Sequence, residues 1–146
     1  MAEGFQDCLA WQKAHELMLL IHREVVPRLP PEEKCHPAIQ IRKSSKSVGS
    51  NFAEGYGRYY YPDRIRFCHM ARGSLTETQN HVIASPDLGY ISEPTFHLAF
   101  DLSTHVHRLL NGYIDYLKRQ QPGKEEPGLR LGSRRAPNSQ FPIPNS

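Results

Sequence analysis

Apolar residues recur along this chain at three- and four-residue steps, and prolines and glycines cut the pattern into four helical segments. The first is expected over about Phe5 to Val26, where Leu9, Leu17, Leu20, Ile21 and Val25 share a face near Trp11 and Ala14. Pro27 should close it, and Pro30-Pro31 delays any second helix, although Pro31-Glu32-Glu33 has the composition of a helix start. A second helix is predicted from about Pro37 to Ala53. Ile41, Ser45, Val48 and Phe52 form its inner face, Arg42, Lys43 and Lys46 its outer one, and Gly55 and Gly57 are expected to end it in a left-handed turn. A third opens at Pro62-Asp63 and buries Ile65, Cys68, Ala71 or Arg72, Leu75, Thr78 or Gln79, and Val82. Pro86 should kink or end it ahead of Gly89. The fourth has the most regular stripe: Phe96, Ala99, Ser103, Val106, Leu110, Tyr113 and Leu117, widened by Leu102, Leu109 and Tyr116. Ser92 is its expected N-cap. Tyr59-Tyr60-Tyr61 reads as a linker, and strand signals are nearly absent.

Four amphipathic segments with short connections predict an all-α, antiparallel up-down four-helix bundle over residues 1–120. From about residue 121 to 146 the period vanishes among prolines, glycines and charges, so a disordered Pro/Gly-rich C-terminal tail is expected. Arg130, Arg134 and Arg135 would make that tail a basic arm.

Composition changes the picture in three ways. No run approaches the ~20 apolar residues that cross a bilayer, and the N-terminus lacks the basic start and apolar core of a signal peptide, so a cytoplasmic location is expected. The three cysteines, Cys8, Cys35 and Cys68, are an odd number at wide spacing and are expected as free thiols. The net charge of +3 is unevenly spread: Gln40 to Arg72 carries seven cations against Glu54 and Asp63, a net +5, and the remainder is −2.

The eight histidines raise the question of a metal centre. A bundle-borne di-iron site needs two Glu-x-x-His pairs. Only Glu33 to His36 has that spacing, beside Pro37, while Glu77 with His81 and Glu93 with His97 are one residue too far apart. No metal or cofactor is expected. There is no G-x-S-x-G elbow and no phosphate-binding P-loop, so nothing points to an enzyme.

What remains is the basic third. Arg42, Lys43, Lys46, Arg58, Arg64, Arg66 and Arg72 are candidate contacts to the phosphates of RNA or DNA, with Tyr56, Tyr59, Tyr60 or Tyr61 available to stack on bases. The competing reading is structural: the arginines and Glu54 form ion pairs at a helix junction, and Gly49, Ser50, Gly73 and Ser74 permit close helix packing. Residue chemistry alone leans slightly to the structural reading.

These same segments resemble the 23S rRNA intervening-sequence protein family, also called the S23 family. The resemblance is carried by Leu9-x-Trp11-Gln12-Lys13-Ala14-His15-Glu16-Leu17, by Gln40-Ile41-Arg42-Lys43-Ser44 and by Asn51-Phe52-Ala53-Glu54-Gly55-Tyr56-Gly57-Arg58. Arg66-Phe67, Ala71-Arg72-Gly73-Ser74-Leu75-x-Glu77 and Asp87-Leu88-Gly89-Tyr90-Ile91 complete it, so that it spans roughly residues 5 to 118. It implies an up-down four-helix bundle that assembles as a homo-oligomeric ring, expected to be a pentamer, without catalysis. Some members are encoded within insertions in bacterial 23S rRNA genes, and related bundles are thought to bind nucleic acid. No molecular activity is established for the family, so a protein-interaction scaffold stands as the alternative. Pro86 and the proline-rich tail depart from the family pattern.

Overall fold

The computed structural model describes residues 4–33 and 36–120, and every regular element among them is helical. The expectations for Cys35, for the Glu33–His36 spacing and for the tail lie outside the residues or side chains described. The first segment divides. Phe5–Asp7 is a 3-10 turn, Cys8 is extended, and α1 spans Leu9–Leu20. The helical path then continues through one wide turn, Ile21–Val25, and a 3-10 turn, Val26–Arg28. Ala10, Ala14, Leu17, Ile21 and Val25 are buried along this path, so the three-and-four spacing survives the change of turn type.

Helix α2 spans His36–Tyr56 and buries Ile41, Ser44, Ser45, Val48 and Phe52. It runs past the predicted stop at Ala53. Gly55 lies inside it and no left-handed residue ends it, because the only glycine with positive φ among the described residues is Gly89. The role of Gly55 is spatial. A Cβ there would stand 2.8 Å from Phe67 Cβ and 3.2 Å from the Arg64 carbonyl oxygen, so its missing side chain lets α2 and the next helix touch.

Helix α3, Tyr61–Asp87, opens on Pro62 and Asp63 as expected. Of the paired alternatives, Ala71 and Thr78 are buried, while Arg72 and Gln79 sit beside them half-exposed. Pro86 neither stops the helix short nor sets its end. It occupies the final turn, where few backbone bonds remain to lose. The helix ends one residue later, at Asp87. Gly89 at φ +77° turns the chain, its N–H bonds to the Pro86 carbonyl at 2.9 Å, and the Tyr90 N–H reaches the Ser85 carbonyl at 2.8 Å. This pair of bonds is a Schellman motif.

Helix α4 spans Glu93–Gln120. Ser92 is its N-cap, its Oγ accepting from the Thr95 N–H at 3.4 Å and its carbonyl from the Phe96 N–H at 2.9 Å. Ile114 is buried with the predicted stripe, whereas Tyr116 is exposed at the stripe's edge.

The helices form an antiparallel square: α1 and α3 each pack against both α2 and α4, and the diagonal pairs stay apart. Phe52 and Tyr113 fill the centre across one diagonal, ring centroids 5.0 Å apart. Two polar links, the first buried and the second partly so, fasten the seams of α3. Ser44 Oγ and Thr78 Oγ1 lie 2.8 Å apart between α2 and α3, and Gln79 donates to Ser103 Oγ of α4 at 2.9 Å. No helix among the described residues is long and apolar enough to cross a membrane.

Candidate nucleic-acid interface

The seven candidate cations separate into two groups once folded. Arg58, Arg64, Arg66 and Arg72 all have partners within the protomer. Arg58 pairs with Glu54 at 2.9 Å and lies over the Phe67 ring at 4.8 Å. Arg66 lies over the same ring at 4.9 Å and stands 3.7 Å from Asp63. Arg64 covers the Tyr61 ring at 4.9 Å and donates from Nε to the Arg58 carbonyl at 2.6 Å, clasping the α2–α3 connection. The ion pairs are exposed and contribute little by themselves, but cation–ring stacking and the carbonyl bond give these three a shared structural task.

Arg72 works between α3 and α4. It donates to Asn111 Oδ1 at 2.7 Å, and its other guanidinium nitrogen lies 3.0 Å from His69 Nδ1. Burial first, then the charges of Arg72 and Lys118, hold the His69 imidazole below the ordinary histidine range. A neutral His69 can accept the Arg72 N–H, so the pKa direction and the geometry agree.

Arg42, Lys43 and Lys46 are different. Their side chains are exposed on the outer side of α2 and have no ion pair or hydrogen bond among the described residues. The sole acid of α2, Glu54, is more than a turn beyond Lys46 and is already paired with Arg58. The central cations of this helix therefore face solvent with no acid beside them on α2 and no ion pair among the described residues.

Arg42, Lys46, Gly49 and Ala53 follow steps of four, three and four, which puts them on one side of α2. Lys46, Gly49 and Ala53 line a groove of about 300 Å³ whose other wall is Phe5, Trp11, His15 and Met18. In that wall Trp11 stacks on His15, centroids 4.8 Å apart and planes 15° from parallel, and Phe5 meets Trp11 edge-on at 5.3 Å. Gly49 is part of the fit, since a Cβ there would come within 3.2 Å of Trp11 Nε1. Residue chemistry had not singled out this aromatic wall. Its signal was present as the helical spacing of Trp11, His15 and Met18, which the apolar pattern of the first helix absorbed.

Of the tyrosines considered for stacking, Tyr56 packs towards Phe52, Tyr61 is covered by Arg64, and Tyr59 is exposed with its ring against Tyr60. Gly73, expected to allow close packing, has nothing within 4 Å of where its Cβ would stand. The Glu77–His81 and Glu93–His97 pairs are i,i+4 neighbours at 3.7 and 3.4 Å, and no three potential metal ligands gather among the described residues.

Comparison with known proteins agrees with this architecture. A crystal structure from Bacteroides thetaiotaomicron, a protein of unknown function from the S23 ribosomal protein family, superposes with a TM-score of 0.67 at 21% identity. The match covers 73% of this chain and 98% of that one, and at such identity it speaks for the fold. No curated protein matches. The family model described as 23S rRNA-intervening sequence protein matches residues 6–112, and the chain belongs to that family.

Proposed function

We propose that this protein is a non-enzymatic, cytoplasmic nucleic-acid-binding bundle, acting on structured RNA such as rRNA or on DNA. Arg42, Lys43 and Lys46 are its phosphate contacts. The observation that carries this reading is that these three cations have no ion-pair partner among the described residues and stand on an acid-free stretch of α2. Arg58, Arg64, Arg66 and Arg72 leave the binding role for a structural one, because each already has partners in the protomer. The rRNA in the family's description supports RNA as the first ligand to test.

Three phosphate contacts per copy are too few for tight binding, and non-specific affinities lie at roughly 10⁻⁴ to 10⁻⁶ M at physiological salt. The reading therefore includes a homo-oligomeric ring, for which five copies is the expectation. Repeating the face around a ring raises avidity by about 10² to 10⁴-fold without new contacts. Titrating a structured rRNA fragment at two salt concentrations tests it. With three phosphates neutralised per bound copy, log K should fall with log salt at a slope of about −2 to −3 for each copy engaged. Binding absent even at low salt, or insensitive to salt, contradicts the proposal.

The alternative, a protein-interaction scaffold, draws on the arginines that are engaged inside the bundle. It predicts that charge reversal at Arg58 or Arg72 dissociates the oligomer, which sedimentation would read directly. Nucleic-acid binding lost with the assembly intact would favour the first reading.

A further inference from the structure

The groove between α1 and α2 sets beside the phosphate contacts two features that those contacts do not require. Its wall is aromatic, with the Trp11–His15 stack braced by Phe5. The Trp11 indole N–H has no hydrogen-bond partner among the described residues, which leaves a donor in a half-open groove. On the facing wall stands unpaired Lys46, with Arg42 one turn away on the same side of α2 and Lys43 beside it. Core packing explains an aromatic wall. It does not explain an unused donor and an unpaired Lys46 in the same groove.

We infer that this groove is a base-binding subsite: it takes one unstacked nucleotide of a single-stranded nucleic acid, the base against Trp11 and the flanking phosphates on Lys46 and Arg42. The inference rests on the nucleic-acid reading and specifies where and in what form the ligand is held. The groove volume of about 300 Å³ is at the small end for ligand pockets, room for a single ring system rather than a large ligand. Flat rings with polar edges match an aromatic wall that offers one N–H donor, and the phosphates supply the charge that the rim lacks. A stacked, paired base has neither its face nor its edge available, so the subsite selects unpaired segments. Neither the Trp11 ring nor the Lys46 ammonium distinguishes ribose from deoxyribose, so RNA and DNA single strands share the chemistry.

Trp11 is the only tryptophan of the chain, so its fluorescence reports on this groove alone. The intact protein is titrated with a single-stranded RNA decamer, the same sequence as DNA, and the corresponding duplex. Tryptophan emission is read in one series and the anisotropy of a fluorescein-labelled strand in another. The expected result is quenching by single strands at the concentrations at which anisotropy rises, and weak quenching by duplex. Equal quenching by RNA and DNA supports a subsite that reads the base and not the sugar, and a stronger response to one identifies the natural strand.

Ser50→Phe fills the groove from its exposed rim without touching a buried position. It should abolish quenching and weaken single-strand binding by about tenfold or more, the scale of one lost base–aromatic stack. Trp11→Phe, which keeps a ring in the wall, should weaken binding by less. Anisotropy that rises while Trp11 emission stays constant overturns the subsite and leaves the basic face standing. The same holds for duplex that quenches as strongly as single strands, or for Ser50→Phe that binds like wild type. No rise in anisotropy at low salt overturns both readings.

Discussion

Glycines that look alike in sequence separate sharply by what their missing side chains would meet. Gly55 is closed in by Phe67 Cβ and the Arg64 carbonyl, whereas Gly73 faces open space. Gly55→Ala should destabilise the bundle by about 1–3 kcal/mol through overpacking of the α2–α3 seam. Gly73→Ala should stabilise it by roughly 0.5–1 kcal/mol, because alanine is the better helix former. Urea denaturation of the two variants reads both signs, and a destabilised Gly73→Ala would place that face in a contact between copies. The thiols diverge in the same way. Burial pushes Cys68 up to about 12, so it should resist alkylation at pH 8 until the chain unfolds. Cys8, half-buried and raised by burial and by Asp7, should label before Cys68. Mass-spectrometric mapping after brief iodoacetamide treatment decides this, and native labelling of Cys68 would contradict it.

Between elements, the seams explain which parts of the architecture could be read in advance. The inner faces of α2, α3 and α4 were legible because burial follows the helical period directly: Ile41, Val48 and Phe52, then Cys68, Leu75 and Val82, then Ala99, Val106 and Leu110. Helix ends were less legible. Pro86 suggested an early stop, yet a proline in the last turn forfeits little, and the Schellman bonds around Gly89 decide the boundary. The division of the arginines was legible only in part: the Glu54–Arg58 pair follows from helical spacing, whereas the partners Phe67, Tyr61 and Asn111 reach the cations only through folding.

The α3–α4 seam also carries a pH dependence. His69 binds its proton more weakly folded than unfolded, so the unfolded chain takes up more protons as pH falls through the ordinary histidine range near 6.5. Its contribution to stability is present above that range and declines as pH drops, until the folded imidazole also protonates. Melting temperature should therefore fall between pH 7.5 and 5.5, and His69→Gln should shrink that fall. An unchanged difference would remove His69 from the account.

At the scale of the whole molecule, the fold is a frame that keeps four arginines occupied and three cations available. Its up-down order brings the start of α1 and the end of α2 to one end of the bundle. There the aromatic wall and the Lys46 face share a groove that no single helix contains. The bundle was visible in the spacing, whereas this groove required the pairing of α1 with α2. The central claim is that division of labour among the cations. Its most direct test compares the rRNA affinity of Arg42→Glu/Lys46→Glu with that of Arg58→Gln/Arg72→Gln, alongside the urea stability of each. The account predicts that the first pair loses binding by orders of magnitude at unchanged stability, while the second is less stable and keeps most of its affinity when folded. Unchanged binding by the first pair, or selective loss of binding by a fully stable second pair, would contradict it.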